Sequence, residues 1–339
     1  MRMIFAWVVV GLSFLANRGE CMISKTLLAD IETVNKVGSY IGLVVPNAYE
    51  MNPLLHSSSF VLIKKHPRLD ISGRRFYIGT LEKQRVIIVM TGLSMLNAGI
   101  TTQLLLSLFN VKGVLHFGIA GNANNKHQIG DVVIPKFWAH TGLWSWQRYR
   151  QGAESKLRES NADDRENVSY LKFSDYNVDT STDNFLNSVW YEHEQVFVID
   201  TKPETIQRTF WVPVDNDYFT LSKKLEGMKL ESCVNATTCL TRAPKVARVE
   251  RGVSANMFID NGAYRTFLNS KFNATPTDME SAAVALICYQ QKIPFLAIRS
   301  LSDLAGGGSA ISNEASIYSP LAAQNAADVL IKFVQLLPS

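Results

Sequence analysis

Cysteine, net charge and long apolar runs are all scarce in this sequence, and each shortage excludes something. Only four cysteines occur in 339 residues (Cys21, Cys233, Cys239 and Cys288), too few for a disulfide-framed scaffold. None shares with a histidine the spacing of a zinc site, so no metal is expected. Charged residues make up 19% of the chain, and the formal net charge is +4. No basic run is dense enough for a nucleic-acid partner. The lysines and arginines between Arg242 and Arg251 are spaced out and expected on a solvated face. There is no internal repeat and no low-complexity tract, and no segment beyond the N-terminus approaches a membrane span. The hydrophobic share of 47% then implies a well-cored globular protein of one large domain or two.

The N-terminus is different. Arg2 precedes an apolar segment from Met3 to Leu15, and polar Asn17-Arg18-Gly19-Glu20 follows. This is a secretory signal pattern over residues 1–20, too short for a confident span. Ala16 and Gly19 are candidate cleavage points, and an uncleaved anchor is the alternative. With the signal removed, no membrane contact is expected. Three acceptor sequons, at Asn167, Asn235 and Asn273, fit passage through the secretory pathway to an extracellular or vacuolar destination. Cys233 and Cys239 flank the second sequon and could close a small disulfide, worth roughly 2 kcal/mol at best. Cys288 falls within an apolar helical pattern and reads as a buried thiol.

Residues 25–339 read as alternating strands and helices. An amphipathic helix over 22–38 leads into a strand at Tyr40–Val45 that Pro46 ends, with Glu50 opening the next segment. Phe76–Thr80 and Val86–Met90 read as a hairpin. A Gly92–Ser94 turn enters a helix over Asn97–Phe109 and could offer backbone N–H groups to an anion. Val111–Phe117 is an apolar strand that ends in the small residues Gly118-Ile119-Ala120-Gly121. Gln128–Pro135 gives a turn and strand. From about 138 to 249 the pattern loosens into a surface insertion, with a short strand at Val196–Ile199 and a helical piece at Tyr218–Leu225. Regular structure resumes at 252–260, and Ser319–Leu337 is a closing helix. The alternation implies a helix-flanked α/β sheet, mainly parallel.

One stretch organises the rest, residues 275–309. Asp278-Met279-Glu280 is expected to open a helix, where first-turn acids suit the dipole. Phe295–Ile298 is expected to be a buried strand. Arg299, Ser302 and Asp303 would lie just past its end, where open α/β sheets bind ligands.

Four segments together carry a family resemblance: 41–55 (IGLVVPNAYEMNPLL), 116–135 (HFGIAGNANNKHQIGDVVIP), 252–261 (GVSANMFIDN) and 277–303 (TDMESAAVALICYQQKIPFLAIRSLSD). They resemble the purine nucleoside phosphorylase and methylthioadenosine/S-adenosylhomocysteine nucleosidase superfamily. In overall texture the chain looks most like its plant bark and vegetative storage branch. The resemblance implies a single α/β domain, a three-layer fold with a mixed, partly barrel-like central sheet, and no cofactor. It implies a small-molecule partner, a purine nucleoside or its free base, and a homo-oligomer.

It also implies roles. Glu50 would activate water and Asp303 would protonate the purine. Phe258 would stack on the base, and Met279 and Glu280 would hold the ribose. Ser302 and Arg299 would stand beside the site, and Gly118 and Ile119 would form the turn that holds phosphate in phosphorolytic members. Two positions depart from the pattern. His116 and Ile119 stand where such members carry an arginine and a hydroxyl residue, which favours hydrolysis over phosphorolysis. A storage protein with weak or lost catalysis is the alternative.

Overall fold

The computed structural model describes residues 23–146, 170–172, 188–202, 205–307 and 314–338. The signal segment, Cys21 and the sequon at Asn167 lie outside them. The described residues up to Gly38 form a unit of their own. Its helix α1 (Lys25–Lys36) starts on Ser24, whose hydroxyl accepts the Leu27 amide.

The second unit begins with β1 (Tyr40–Val45), α2 (Ala48–Leu55), β2 (Phe60–Leu62), β3 (Arg68–Ile71), β4 (Arg74–Leu81), β5 (Gln84–Met90), α3 (Met95–Leu108) and β6 (Val111–Asn122). It continues through β7 (Val132–His140), β8 (Trp144–Trp146), β9 (Tyr170–Lys172), β10 (Ser188–Tyr191), β11 (Glu194–Val196), β12 (Gln207–Thr209), β13 (Val212–Pro213) and α4 (Asn216–Leu221). It ends with β14 (Val246–Ser254), α5 (Gly262–Phe272), β15 (Ala274–Asp278), α6 (Ser281–Gln290), β16 (Phe295–Leu304) and α7 (Ala315–Leu336).

The main sheet is mixed and partly closed. Its order is β13-β7-β14-β15-β6-β1-β5-β4-β2, and β16 pairs with both β6 and β7. The ring β6–β15–β14–β7–β16 therefore returns to β6 and makes a small barrel, with β1, β5, β4 and β2 as an open extension. β1 pairs in parallel with β5 and β6, while β15 runs antiparallel to β6. All six residues of β1 and the first nine of β16 are buried, as expected of strands covered on both faces.

Several expected boundaries move. β6 runs on through Gly118–Asn122, and β16 runs through Arg299 to Leu304, because the two strands pair with each other along that length. Asp278 ends β15 and does not open a helix; α6 starts at Ser281, after Glu280. The Asp278 carboxylate still serves that helix, accepting the Glu280 and Ser281 amides at 3.2 and 3.1 Å. The regions at both edges of the expected insertion are sheet. β7 continues to His140, β14 starts at Val246, and β13 adds itself to β7.

The middle of that segment also enters the core. Tyr191 and Phe210 are buried with Tyr264, Phe272 and Ile259. Arg242 is not on a purely solvated face, since its guanidinium grips the buried Asp131 at 2.6 and 2.9 Å. Cys233 and Cys239 form a disulfide around exposed Asn235, Asn273 is exposed at the C-terminal end of α5, and Cys288 is a buried thiol. Among the described residues no helix is long and apolar enough to cross a membrane.

Candidate active site

The carboxyl ends of β1, β6, β15 and β16 meet at a cavity of ≈ 670 Å³, counting the space at its mouth. Glu50 stands on one side of it. Asn47 caps α2 by accepting the Glu50 amide at 3.1 Å, and its side-chain NH2 donates back to Glu50 Oε2 at 2.6 Å. This two-way capping holds the glutamate side chain inward. Glu50 Oε1 accepts the Ile119 amide at 2.7 Å. A Cβ at Gly118 would overlap Glu50 Oε1 and Arg299 Nη1, so only glycine lets the strand pass this close.

Behind Glu50 lies Arg299, fully buried. Its Nε lies 2.7 Å from Asp278 Oδ2 and donates to Ser281 Oγ at 3.0 Å. Its Nη1 is 3.7 Å from Glu50 Oε1, and its Nη2 is 3.8 Å from Glu280 Oε2. The remaining Nη2 bond goes to His116 Nε2. His116 Nδ1 lies 2.9 Å from the Val44 carbonyl; with its proton there, Nε2 is the acceptor that an arginine requires. Burial, with Arg299 second, holds the His116 pKa well below its ordinary range.

Three carboxylates thus share one guanidinium. Burial raises Glu50 to about 8 against the pull of Arg299 and the Ile119 amide. Burial, and then Asp278, raise Glu280 to about 7 against Arg299 and the Ser94 amide.

Asp303 stands on the other side, beside Gly121. The pairing of β16 with β6 slips between Leu301 and Asp303, so Ser302 is the extra residue of a bulge. Consecutive strand residues normally face opposite ways. Here Ser302 and Asp303 both line the cavity, as bulges near sites allow. The Ser302 hydroxyl donates to Asp303 Oδ1 at 2.6 Å. Burial pushes the Asp303 carboxyl above its ordinary range, opposed by that hydroxyl and supported by Glu314 and Asp260.

Of the residues expected at a site, Glu50, Ile119, Phe258, Met279, Glu280, Ser302 and Asp303 line the cavity. Phe258 is 58% exposed, at the mouth. Arg299 and Gly118 do not line it. Arg299 is consumed by its acidic partners, and Gly118 is the spacer that lets Glu50 and Arg299 approach the strand. In the turn before α3, Ser94 N–H donates to Glu280 Oε1 and Met95 N–H to Asn256 Oδ1, so these two amides are taken within the protein. Asn47, Ser254 and Ser281 were not anticipated. Asn47 had a signal, an Asn three residues before a Glu at a helix start. The two serines, both bonded to Asp278, had none. Among the described residues no lysine, arginine or histidine lines the cavity, and no cluster of acidic, His or Cys side chains is grouped to hold a metal.

Bark storage protein A of Populus deltoides is 32% identical over 316 residues, 92% of this chain and 94% of its own length. The 5′-methylthioadenosine/S-adenosylhomocysteine nucleosidase of Staphylococcus epidermidis is 25% identical, covering 73% and 80%. The futalosine hydrolase structure from Helicobacter pylori shares the fold, with a TM-score of 0.60 at 18% identity, covering 89% of this chain and all of that one. The family model described as the phosphorylase superfamily matches residues 40–335, and the chain belongs to that superfamily.

Proposed function

We propose that this chain hydrolyses the bond between a purine base and ribose, with adenine-type nucleosides favoured. The observation that carries the reading is the pair of buried carboxyls, Glu50 and Asp303, on two sides of one cavity with Glu280 between the polar walls. Cleavage of an N-glycosidic bond develops positive charge on the sugar and negative charge on the leaving base. An acid must protonate the base, and a carboxylate must direct water at the anomeric carbon.

Asp303 supplies the acid. Its Oδ1 accepts the Ser302 hydroxyl, which leaves Oδ2 to carry the proton at a side chain that lines the cavity. Glu50 supplies the base once its proton has left to solvent, as it does when pH rises toward about 8; the carboxylate then takes a proton from the attacking water and faces the developing sugar cation. Glu280 accepts the ribose hydroxyls, Met279 packs against the sugar, and Phe258 covers the base. Phosphorolysis fits poorly. A phosphate dianion would meet carboxylates and the donor-free side chain of Ile119, with Arg299 and His116 turned to each other. The names of the nucleosidase relatives support a purine ligand.

The experiment is chromatography for free base after incubation with a panel of purine nucleosides, beside calorimetric titration with adenine. Release of adenine is expected. Neither release nor adenine binding would sink the reading and leave the second one, a storage protein on the same scaffold, favoured by the 32% identity to a bark storage protein and by the missing donor at Ile119.

The signal-like N-terminus and the sequons at Asn167, Asn235 and Asn273 support secretory or vacuolar delivery, and a mass loss on enzymatic deglycosylation checks it. Leu96 and Ile100, exposed on one face of α3, support a homo-oligomer, checked by light scattering.

A further inference from the structure

Two further acids, Glu314 and Asp260, act on Asp303 from its own side of the cavity, while Arg265, the cation at this strand end, donates to the Gly307 carbonyl at 3.0 Å. Glu314 stands at the start of α7, where its carbonyl accepts the Ile317 and Tyr318 amides. Its side chain makes no bond to its own helix. Glu314 Oε2 instead accepts the Leu304 amide at 3.0 Å, the peptide group immediately after Asp303.

Asp260 approaches from the segment before α5. Gly306 packs so tightly on the Asn261–Gly262 backbone that a Cβ there would overlap it. From β6 and β15, Gly121 and Thr277 lie beside Asp303. No ion pair among the described residues includes Asp303.

We propose that Glu314 is a positioning residue for the acid at Asp303. It fixes the bulged end of β16 by holding the Leu304 amide, and its negative charge keeps the Asp303 proton in place for delivery to the leaving base. The proposal rests on the role given to Asp303 above.

Glu314→Gln separates the two effects, because its amide oxygen still accepts the Leu304 N–H while the charge is gone. The Asp303 carboxyl is followed by carbon-13 NMR in aspartate-labelled protein, with the signal assigned by Asp303→Asn. This readout needs no substrate. In Glu314→Gln the titration midpoint is expected to fall by roughly one pH unit, and the alkaline limb of base release moves down with it. Glu314→Ala, which also loses the acceptor, is expected to lower kcat by about tenfold beyond Glu314→Gln, a loss that glutamine rescues. An unchanged Asp303 midpoint in folded Glu314→Gln overturns the proposal. A midpoint that moves in a protein releasing no base from any nucleoside upholds the Glu314–Asp303 coupling and overturns the nucleosidase reading instead.

Discussion

The two sides of the cavity bury carboxyls under different terms. On the Glu50 side, three acids surround one guanidinium, and backbone amides and hydroxyls fill most of their remaining acceptor positions. On the Asp303 side there are a hydroxyl and two further acids, and among the described residues no ion pair reaches it. Burial favours the protonated form on both sides, but only the Glu50 side depends on a single residue for its charge balance. A compensated cluster can cycle through protonation states without large rearrangement, which suits a base. An uncompensated carboxyl resists ionisation, which suits an acid.

The largest expected effect tests both halves of that contrast together. Asp303→Asn and Glu50→Gln should each lower base release by about 10²–10⁴-fold, the usual worth of a positioned acid or base. Steady-state chromatographic assays check this, and near-normal rates in either variant would remove that residue from the chemistry.

Stability should then separate the sides. Arg299→Met strands three buried acids and should cost about 3–5 kcal/mol in denaturant unfolding. Asp303→Asn removes an uncompensated carboxyl and should stay within about 1 kcal/mol of the parent. Equal losses in the two variants would dissolve the comparison.

pH offers a third, smaller effect. Glu50 and Glu280 have ordinary values near 4.5 and are raised to about 8 and about 7. The folded state therefore binds protons that the unfolded chain has released. Their stabilising contribution is full below about 4.5 and is lost as pH rises through 7 to 8. Tm should fall across that window, and Glu50→Gln should flatten the slope; a flat profile in the parent protein would contradict the assignment.

The smallest effect concerns Ile119, whose amide holds Glu50 while its side chain offers the water nothing. Ile119→Ser adds one hydroxyl there and should raise kcat by at most about tenfold, the worth of one hydrogen bond. A fall in kcat would show the isoleucine to be part of the sugar's packing.

Much of the arrangement was legible beforehand. The β4–β5 hairpin, α3 and α7 followed from local periodicity and turn residues, which act over a few positions. The barrel did not, because its closure depends on β16 pairing with β7 in addition to β6, a contact between distant segments. Glu50, Phe258, Glu280 and Asp303 were recognisable from motif resemblance. Arg299 was recognisable too, yet nothing local shows that its fork is spent on Asp278, Ser281 and His116. The insertion read as surface because its composition is polar overall, although Tyr191 and Phe210 bury themselves against α5.

By itself the sequence determined the element types, the superfamily and the chemical inventory of the cavity, since these rest on short-range patterns and residue identity. The tertiary structure alone decided which acids share a cation and which Asp303 oxygen the Ser302 hydroxyl takes. Those depend on a one-residue slip between β16 and β6 and on the burial of three carboxylates around one arginine, and long-range packing creates both.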